Sequence, residues 1–179
     1  MSTPPPSERS SGPRILIIGS PGSGKSTLAT QLHAATQLPL IRLDQEYWQP
    51  GWVEPDRATW RARVAELAQR ERWIMEGNYG GTFDLRIPRA DLVVYLDLPT
   101  RVTLLRVIRR VWKHRGHSRP DMPEGCPEHF SLKFLFYVLH FRASRRAGIL
   151  ARLDKLRPDQ ERAHLTGKTA VKQFLRQWQ

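Results

Sequence analysis

Apolar residues along this chain follow two rhythms. Short unbroken runs rich in β-branched residues alternate with longer stretches where apolar side chains recur every three or four positions. The runs are Arg14-Ile15-Leu16-Ile17-Ile18, Leu38 to Leu43, Trp73-Ile74-Met75 and Leu92-Val93-Val94-Tyr95-Leu96, with a weaker one at Ala163-His164-Leu165. Apolarity without alternation is what a strand buried on both faces requires. Leu28 and Leu32 mark a helix from Leu28 to Ala35. Asp56 is placed to cap a helix running to about Arg70, with Trp60, Val64 and Leu67 on one stripe. Pro99 or Thr100 opens a helix to about Lys113. Leu104, Leu105, Ile108, Val111 and Trp112 are its expected buried stripe, and Arg106, Arg109, Arg110 and Lys113 lie opposite or beside it. Glu128 to about Arg157 reads as a long helix with a break at Gly148, and Val171, Phe174, Leu175 and Trp178 form the stripe of a last helix. The stretches 45–55, 78–89 and 114–127 carry neither rhythm and are expected as loops. Residues 1–13 open on a Ser- and Pro-rich run and are expected to be a disordered lead-in.

Strands alternating with helices predict an α/β fold: a parallel sheet with helices on both faces. Ligands of such folds sit beyond the carboxyl ends of the strands. Gly19, Asp44, Glu76 and Asp97 all fall at predicted strand ends, so the four are expected to surround one cleft.

The first of those ends continues as Gly19-Ser20-Pro21-Gly22-Ser23-Gly24-Lys25-Ser26-Thr27, which fits the phosphate-binding pattern G-x-x-x-x-G-K-[ST]. The strand before it and the helix after it are the context that pattern needs. Gly22 and Gly24 let successive backbone N–H groups turn inward at a helix N-terminus, where they face a phosphate chain. Lys25 reaches the β- and γ-phosphates of ATP, and the Ser26 hydroxyl is a Mg²⁺ ligand. Asp44 is the candidate to meet a phosphoryl acceptor, since a carboxylate takes the proton of a hydroxyl nucleophile or binds a substrate hydroxyl or amine. Trp48 and Trp52 follow it, either to stack a planar group or simply to pack.

Composition narrows the setting. At 179 residues the chain is long enough for one domain with a core of its own. The formal charge of +12 leaves two kinds of partner open: a nucleic-acid surface, or an anionic small molecule gathered by arginines. The basic residues Arg101, Arg106, Arg109, Arg110, Lys113, Arg115 and Arg119 occur with no acid among them, which favours the small molecule. The lone Cys126 excludes an internal disulfide, and with His114 and His117 it matches no four-ligand zinc spacing. No apolar run approaches membrane-spanning length, and a cytoplasmic enzyme is the expected setting.

Three blocks carry a resemblance. Leu43-Asp44 stands with Tyr47-Trp48 and Pro50-Gly51-Trp52. Glu76-Gly77-Asn78-Tyr79-Gly80-Gly81-Thr82 stands with Asp84 and Arg86. Arg119-Pro120-Asp121-Met122 stands with Gly125-Cys126-Pro127-Glu128. Together with the phosphate loop they resemble the nucleoside monophosphate kinase group, adenylate kinase in particular. More closely, they resemble the bacterial adenylate-kinase-like P-loop proteins called DNA topology modulation proteins. The resemblance implies a five-stranded parallel sheet in the order 2-3-1-4-5, a kinase-like domain over 14–179 and a small lid at about 114–127. It puts Glu76 in the position of a second acid that holds Mg²⁺ or orients the acceptor, although related sequences usually carry Asp there. It aligns Arg106 with an arginine that packs on adenine and Arg110 with one that reaches phosphate. Arg115 and Arg119 fall in the lid, and Arg142, Arg145 and Arg146 fall where further phosphate arginines are expected.

The expectation is a kinase that moves the γ-phosphoryl group of Mg–ATP to a nucleotide or other small-molecule acceptor. Its catalytic residues would be Lys25, Asp44, Glu76, Arg110, Arg119 and Arg142. Residues 19–27 and Arg106 would bind ATP, and Ser26 and Glu76 would hold Mg²⁺. A nucleotide-dependent DNA-binding protein, or an ATPase with no acceptor, is the alternative.

Overall fold

The computed structural model describes residues 12–178, so residues 1–11 of the expected lead-in lie outside the described part. Five strands, β1 (Arg14–Gly19), β2 (Leu40–Arg42), β3 (Trp73–Glu76), β4 (Leu92–Leu96) and β5 (Glu161–Leu165), form one sheet. Its order is β2-β3-β1-β4-β5, and every pairing is parallel. The expected class and strand order are therefore observed. The helices are α1 (Lys25–Thr36), α2 (Leu43–Tyr47), α3 (Arg57–Gln69), α4 (Phe83–Arg86), α5 (Thr100–Lys113), α6 (Leu132–Leu153) and α7 (Lys168–Arg176).

The unbroken apolar runs are explained by where the strands sit. Ile15 and Ile17 point to one face of the sheet, where they pack with Leu28 and Leu32 of α1 and Phe174 of α7. Leu16 and Ile18 point to the other, with Trp60, Val64 and Leu67 of α3 and Ile149 and Leu153 of α6. With both faces of β1 covered by helices, no polar residue can alternate there. Burying each such side chain is worth roughly 1.5–3 kcal/mol. Asp56 caps α3 as expected, its carboxylate accepting from the N–H groups of Ala58 and Thr59.

Four expectations are corrected. Strand β2 stops at Arg42, and Asp44 sits in the first turn of the short α2 rather than at a strand end. The stretch 78–89 is not a loop: it holds a 3₁₀ turn at Gly80–Thr82, α4, and a second 3₁₀ turn at Ile87–Arg89. Each is one turn long, too short to leave a periodic signal. Helix α6 starts at Leu132 and runs unbroken through Gly148; one glycine costs about 1 kcal/mol in a helix interior, which a long packed helix absorbs. The inward face of α5 is Thr103, Val107 and Val111, while Leu105, Ile108 and Trp112 of the expected stripe are exposed, Trp112 by 83%. The inward face has small and β-branched residues because the phosphate loop lies against it. A Cβ built on Gly22 would come within 2.4 Å of the Thr103 carbonyl oxygen.

Between α5 and α6 the segment 114–131 is tied to itself by bridges pairing Arg115 with Glu128 and Ser118 with Pro127. It is also tied to the aromatic loop after α2. The Gly51 N–H donates to the Gly125 carbonyl at 2.7 Å, the Gln45 amide to the Pro120 carbonyl at 3.1 Å, and Trp52 Nε1 to the Pro127 carbonyl at 3.1 Å. Cys126 is buried, with its Sγ 3.2 Å from the Gln49 carbonyl oxygen.

Candidate active site

The phosphate loop takes its shape from glycines that cannot be replaced locally. Gly19 has φ 154° and no room for a Cβ, which would stand 2.7 Å from the Leu96 carbonyl oxygen; Gly22 has φ 76° and abuts α5. Gly24, at φ 99°, is the N-cap of α1, and the first turn of that helix carries no acid, so its free N–H groups face the cleft with their positive field unopposed. Lys25 lies in that turn. Its Nζ donates to the Ser20 carbonyl at 3.2 Å. Burial pulls its pKa below the usual lysine value, against the opposing pull of Glu76 and Asp44.

Those two acids come from neighbouring elements. Glu76, the last residue of β3, is 3% exposed. Burial pushes its pKa up to about 7, with Asp44 adding to the rise, while Lys25 and a hydrogen bond with Ser26 oppose it. Asp44 Oδ1 accepts from the Tyr79 hydroxyl at 2.7 Å. One residue earlier, Asn78 Oδ1 accepts the Gly19 N–H at 3.0 Å. Both side chains stand on a strap whose carbonyls are held by Arg86, which is fully buried. Arg86 donates to the Gly77 carbonyl at 3.0 Å, to the carbonyls of Asn78 and Tyr79, and to the Thr82 hydroxyl at 3.1 Å.

The arginines divide. Arg106 lies over the phosphate loop, donating to the Ser23 carbonyl at 3.1 Å. Arg110 and Arg119 meet at one buried carboxylate: Glu128 accepts from Arg110 Nη2 at 3.1 Å and forms an ion pair with Arg119 Nε at 2.6 Å, and Arg119 also pairs with Asp121 at 2.9 Å. Both arginines line the cleft, as do Arg145 and Arg152 of α6. Arg142 does not. It is turned to Asp97, which it meets at 2.9 Å alongside Arg146 at 2.7 Å and His164 at 3.0 Å. Asp97 is likewise outside the cleft, 3% exposed beneath those three partners. The expectation that four strand-end residues share the cleft is thus corrected: Asp44 and Glu76 line it, Gly19 is buried at the root of the phosphate loop, and Asp97 is an anchor for α6.

The cleft has a volume of about 1580 Å³, more than the roughly 300–1,000 Å³ of a one-ligand pocket. Its lining includes Leu28, Gln31 and Arg106 with Lys168, Val171 and Lys172 of α7, and the group Asp44, Tyr47, Trp48, Trp52 and Tyr79. Trp48 and Trp52 meet edge to face, with ring centres 5.2 Å apart. Residues missed from the sequence are Asn78, Tyr79, Asp121 and Glu128 as contacts within the site, and Lys168 and Lys172 in its wall. The acids just after the arginine run were a readable signal for Glu128; nothing in the spacing marked the two lysines.

No family model matches the chain. A curated relative, the uncharacterized protein YqaC of Bacillus subtilis, is 32% identical over 108 residues, which are 58% of this chain. The chain spans about 60% of the length of that relative. Among solved structures, shikimate kinase of Acinetobacter baumannii in complex with shikimate is similar with a TM-score of 0.55 at 19% identity, covering 92% of this chain and 89% of that one. Shikimate kinase of Aquifex aeolicus is similar with a TM-score of 0.54 at 17% identity, covering 92% and 94%. None of these carries the topology modulation family; at such identity the structural likeness speaks for the fold. The chain has the fold of the P-loop kinases.

Proposed function

We propose that this chain is an ATP-dependent phosphotransferase that moves the γ-phosphoryl group of Mg–ATP to a small-molecule acceptor. The observation that carries the proposal is the placement of Lys25. It lines the cleft half-buried, beside Glu76 and Asp44 of the same lining, and both acids pull its pKa up against the effect of burial. In this reading donor and acceptor machinery share one cleft.

In this reading the backbone N–H groups of residues 19–27 and the Lys25 ammonium hold the β- and γ-phosphates. The α7 wall and Arg106 enclose the base of ATP. The acceptor oxygen attacks the γ-phosphorus, the bond from that phosphorus to the β-bridging oxygen breaks, and ADP leaves with the electron pair. A hydroxyl acceptor gives its proton to Asp44, whose Oδ2 is not used by Tyr79. Charge building on the equatorial oxygens is met by Lys25, Arg110 and Arg119, planar guanidinium donors being well matched to phosphoryl oxygens. The segment 114–131 acts as the lid, and its ties to the aromatic loop let it exclude water, the competing acceptor.

The residues fit a Mg²⁺ ion. Ser26 and Glu76 both line the cleft, and Glu76 is a buried carboxylate whose pKa burial raises to about 7 against the pull of Lys25 and Ser26. Among the described residues no group of three or more His, Cys, Asp or Glu side chains is placed to hold a metal. Mg²⁺ would thus take its other ligands from phosphate and water, its usual habit. When bound, it neutralises charge on the phosphates.

The test is an incubation with γ-labelled ATP, Mg²⁺ and pools of nucleosides, nucleotides, sugars and hydroxy acids. Label in an organic product supports the proposal. Label appearing only as free phosphate with every pool contradicts it and favours an ATPase.

A further inference from the structure

Asn78 and Tyr79 are adjacent, yet their side chains hold two different elements of the site. Asn78 Oδ1 holds the Gly19 N–H at the root of the phosphate loop, and the Tyr79 hydroxyl holds Asp44 Oδ1. In an extended strand two such neighbours would face opposite ways at random angles to the site. Here the backbone turns between them: Tyr79 has φ 34°, the left-handed region that a tyrosine rarely enters. What pays for that conformation is Arg86. Its guanidinium reaches the three consecutive carbonyls of Gly77, Asn78 and Tyr79, and Thr82 closes the turn by donating its hydroxyl to the Tyr79 carbonyl at 2.8 Å. Burial lowers the Arg86 pKa to about 9, so it remains a full cation at neutral pH. The Tyr79 ring is wedged between Tyr47, 4.8 Å away between centres, and Trp60, 4.9 Å away. The hydroxyl therefore has one place to point.

We infer that Tyr79 is a positioning residue for the phosphoryl transfer, fixing the Asp44 carboxylate so that Oδ2 is presented to the acceptor, and that the Arg86-clamped strap 77–79 sets the distance between the donor loop and that carboxylate. The inference rests on the phosphotransferase reading. Two consequences separate it from a packing role. The Tyr79 hydroxyl acts only through Asp44, so its loss has no further effect once Asp44 is disabled. The Asn78 side chain acts on the donor loop, so its loss falls on ATP binding rather than on turnover.

The experiment uses Mg–ATP with water as the acceptor, since slow hydrolysis needs no identified substrate. It compares wild type, Tyr79→Phe, Asp44→Asn, the double variant and Asn78→Ala. Thermal melting with and without Mg²⁺ and a non-hydrolysable ATP analogue checks that each is folded and still binds nucleotide. Tyr79→Phe keeps the ring and is expected to lower kcat at least ten-fold with KM for ATP within two-fold of wild type. The double variant is expected to be no slower than Asp44→Asn alone, and Asn78→Ala to raise KM for ATP at least five-fold with a smaller loss in kcat. A wild-type rate in Tyr79→Phe, losses that multiply in the double variant, or an unchanged KM in Asn78→Ala would overturn the inference while leaving the phosphotransferase reading intact. A wild-type protein that binds no ATP and turns none over would remove both.

Discussion

Arg142 Nε meets Asp97 Oδ1 at 2.9 Å, outside the cleft lining. Asp97 follows directly on β4 and lies beneath Arg142, Arg146 and His164. Burial on its own would raise the Asp97 pKa; the hydrogen bonds from Arg146, Arg142 and His164 outweigh that and hold it below the usual carboxylate value. This cluster fastens α6 to the sheet, and α6 in turn brings Arg145 and Tyr137 to the cleft.

Arg142→Ala should therefore act on stability and Arg145→Ala on turnover. Arg142 is 43% exposed on its side chain and Asp97 keeps two partners, so the expected loss is about 1 kcal/mol. Urea titration would show it, with kcat near wild type. Arg145→Ala should leave the urea midpoint in place and lower kcat.

Glu76 makes nucleotide binding depend on pH. Its folded pKa, near 7, lies above the ordinary value of 4.5, so the folded protein without ligand holds a proton that the unfolded chain has lost. The stability tied to that proton is present below pH 4.5 and is lost as pH rises through 7. A bound Mg²⁺ reverses the preference and expels the proton. Affinity for a Mg²⁺–ATP analogue should rise between pH 6 and pH 8, roughly ten-fold per unit at most for one proton. Calorimetry in buffers of different ionisation enthalpy should show proton release. Glu76→Gln should remove both effects.

Gly22→Ala tests the close approach of the phosphate loop to α5. The added methyl would sit 2.4 Å from the Thr103 carbonyl oxygen at a φ of 76°. The loop must shift, and the expected outcome is a loss of about 2–4 kcal/mol in stability together with loss of the melting shift given by ATP.

Glu128→Ala would leave Arg110 and Arg119 side by side without their shared carboxylate. Removing one member of a buried ionic cluster costs about 3–5 kcal/mol, less here because Arg110 is 23% exposed. Chemical denaturation should show the loss. Glu128→Gln, which keeps the shape, should lose less stability while still lowering kcat.

Much of this was legible in the sequence for physical reasons. The strands announced themselves because a doubly covered sheet demands unbroken apolar runs, and the phosphate loop because its glycines answer to fixed contacts with Leu96 and Thr103. Glu76 could be placed because strand ends in this class of fold converge, and Asp44 because it lies only two residues past the end of β2. What stayed hidden depended on contacts distant in sequence. The stripe Leu105, Ile108 and Trp112 has ideal helical spacing, yet it faces outward because the phosphate loop and Val138 of α6 claim the Val107 and Val111 side. The sequence reading chooses Arg142 over Arg145 as catalytic; the position of Asp97 turns Arg142 away and leaves Arg145 in the cleft lining. Tyr79 and Arg86 were visible as members of a glycine-rich block, but the turn that joins their roles exists only once the carbonyls of 77–79 are seen around one guanidinium.

The central claim is that Lys25 serves phosphoryl transfer between two substrates held in one cleft. The direct test is Lys25→Ala, assayed for transfer of label from γ-labelled ATP to any organic acceptor turned over by the wild type. The account predicts a loss of at least a thousand-fold in kcat, with circular dichroism and the melting transition preserved. Transfer at the wild-type rate in a folded Lys25→Ala protein would contradict it.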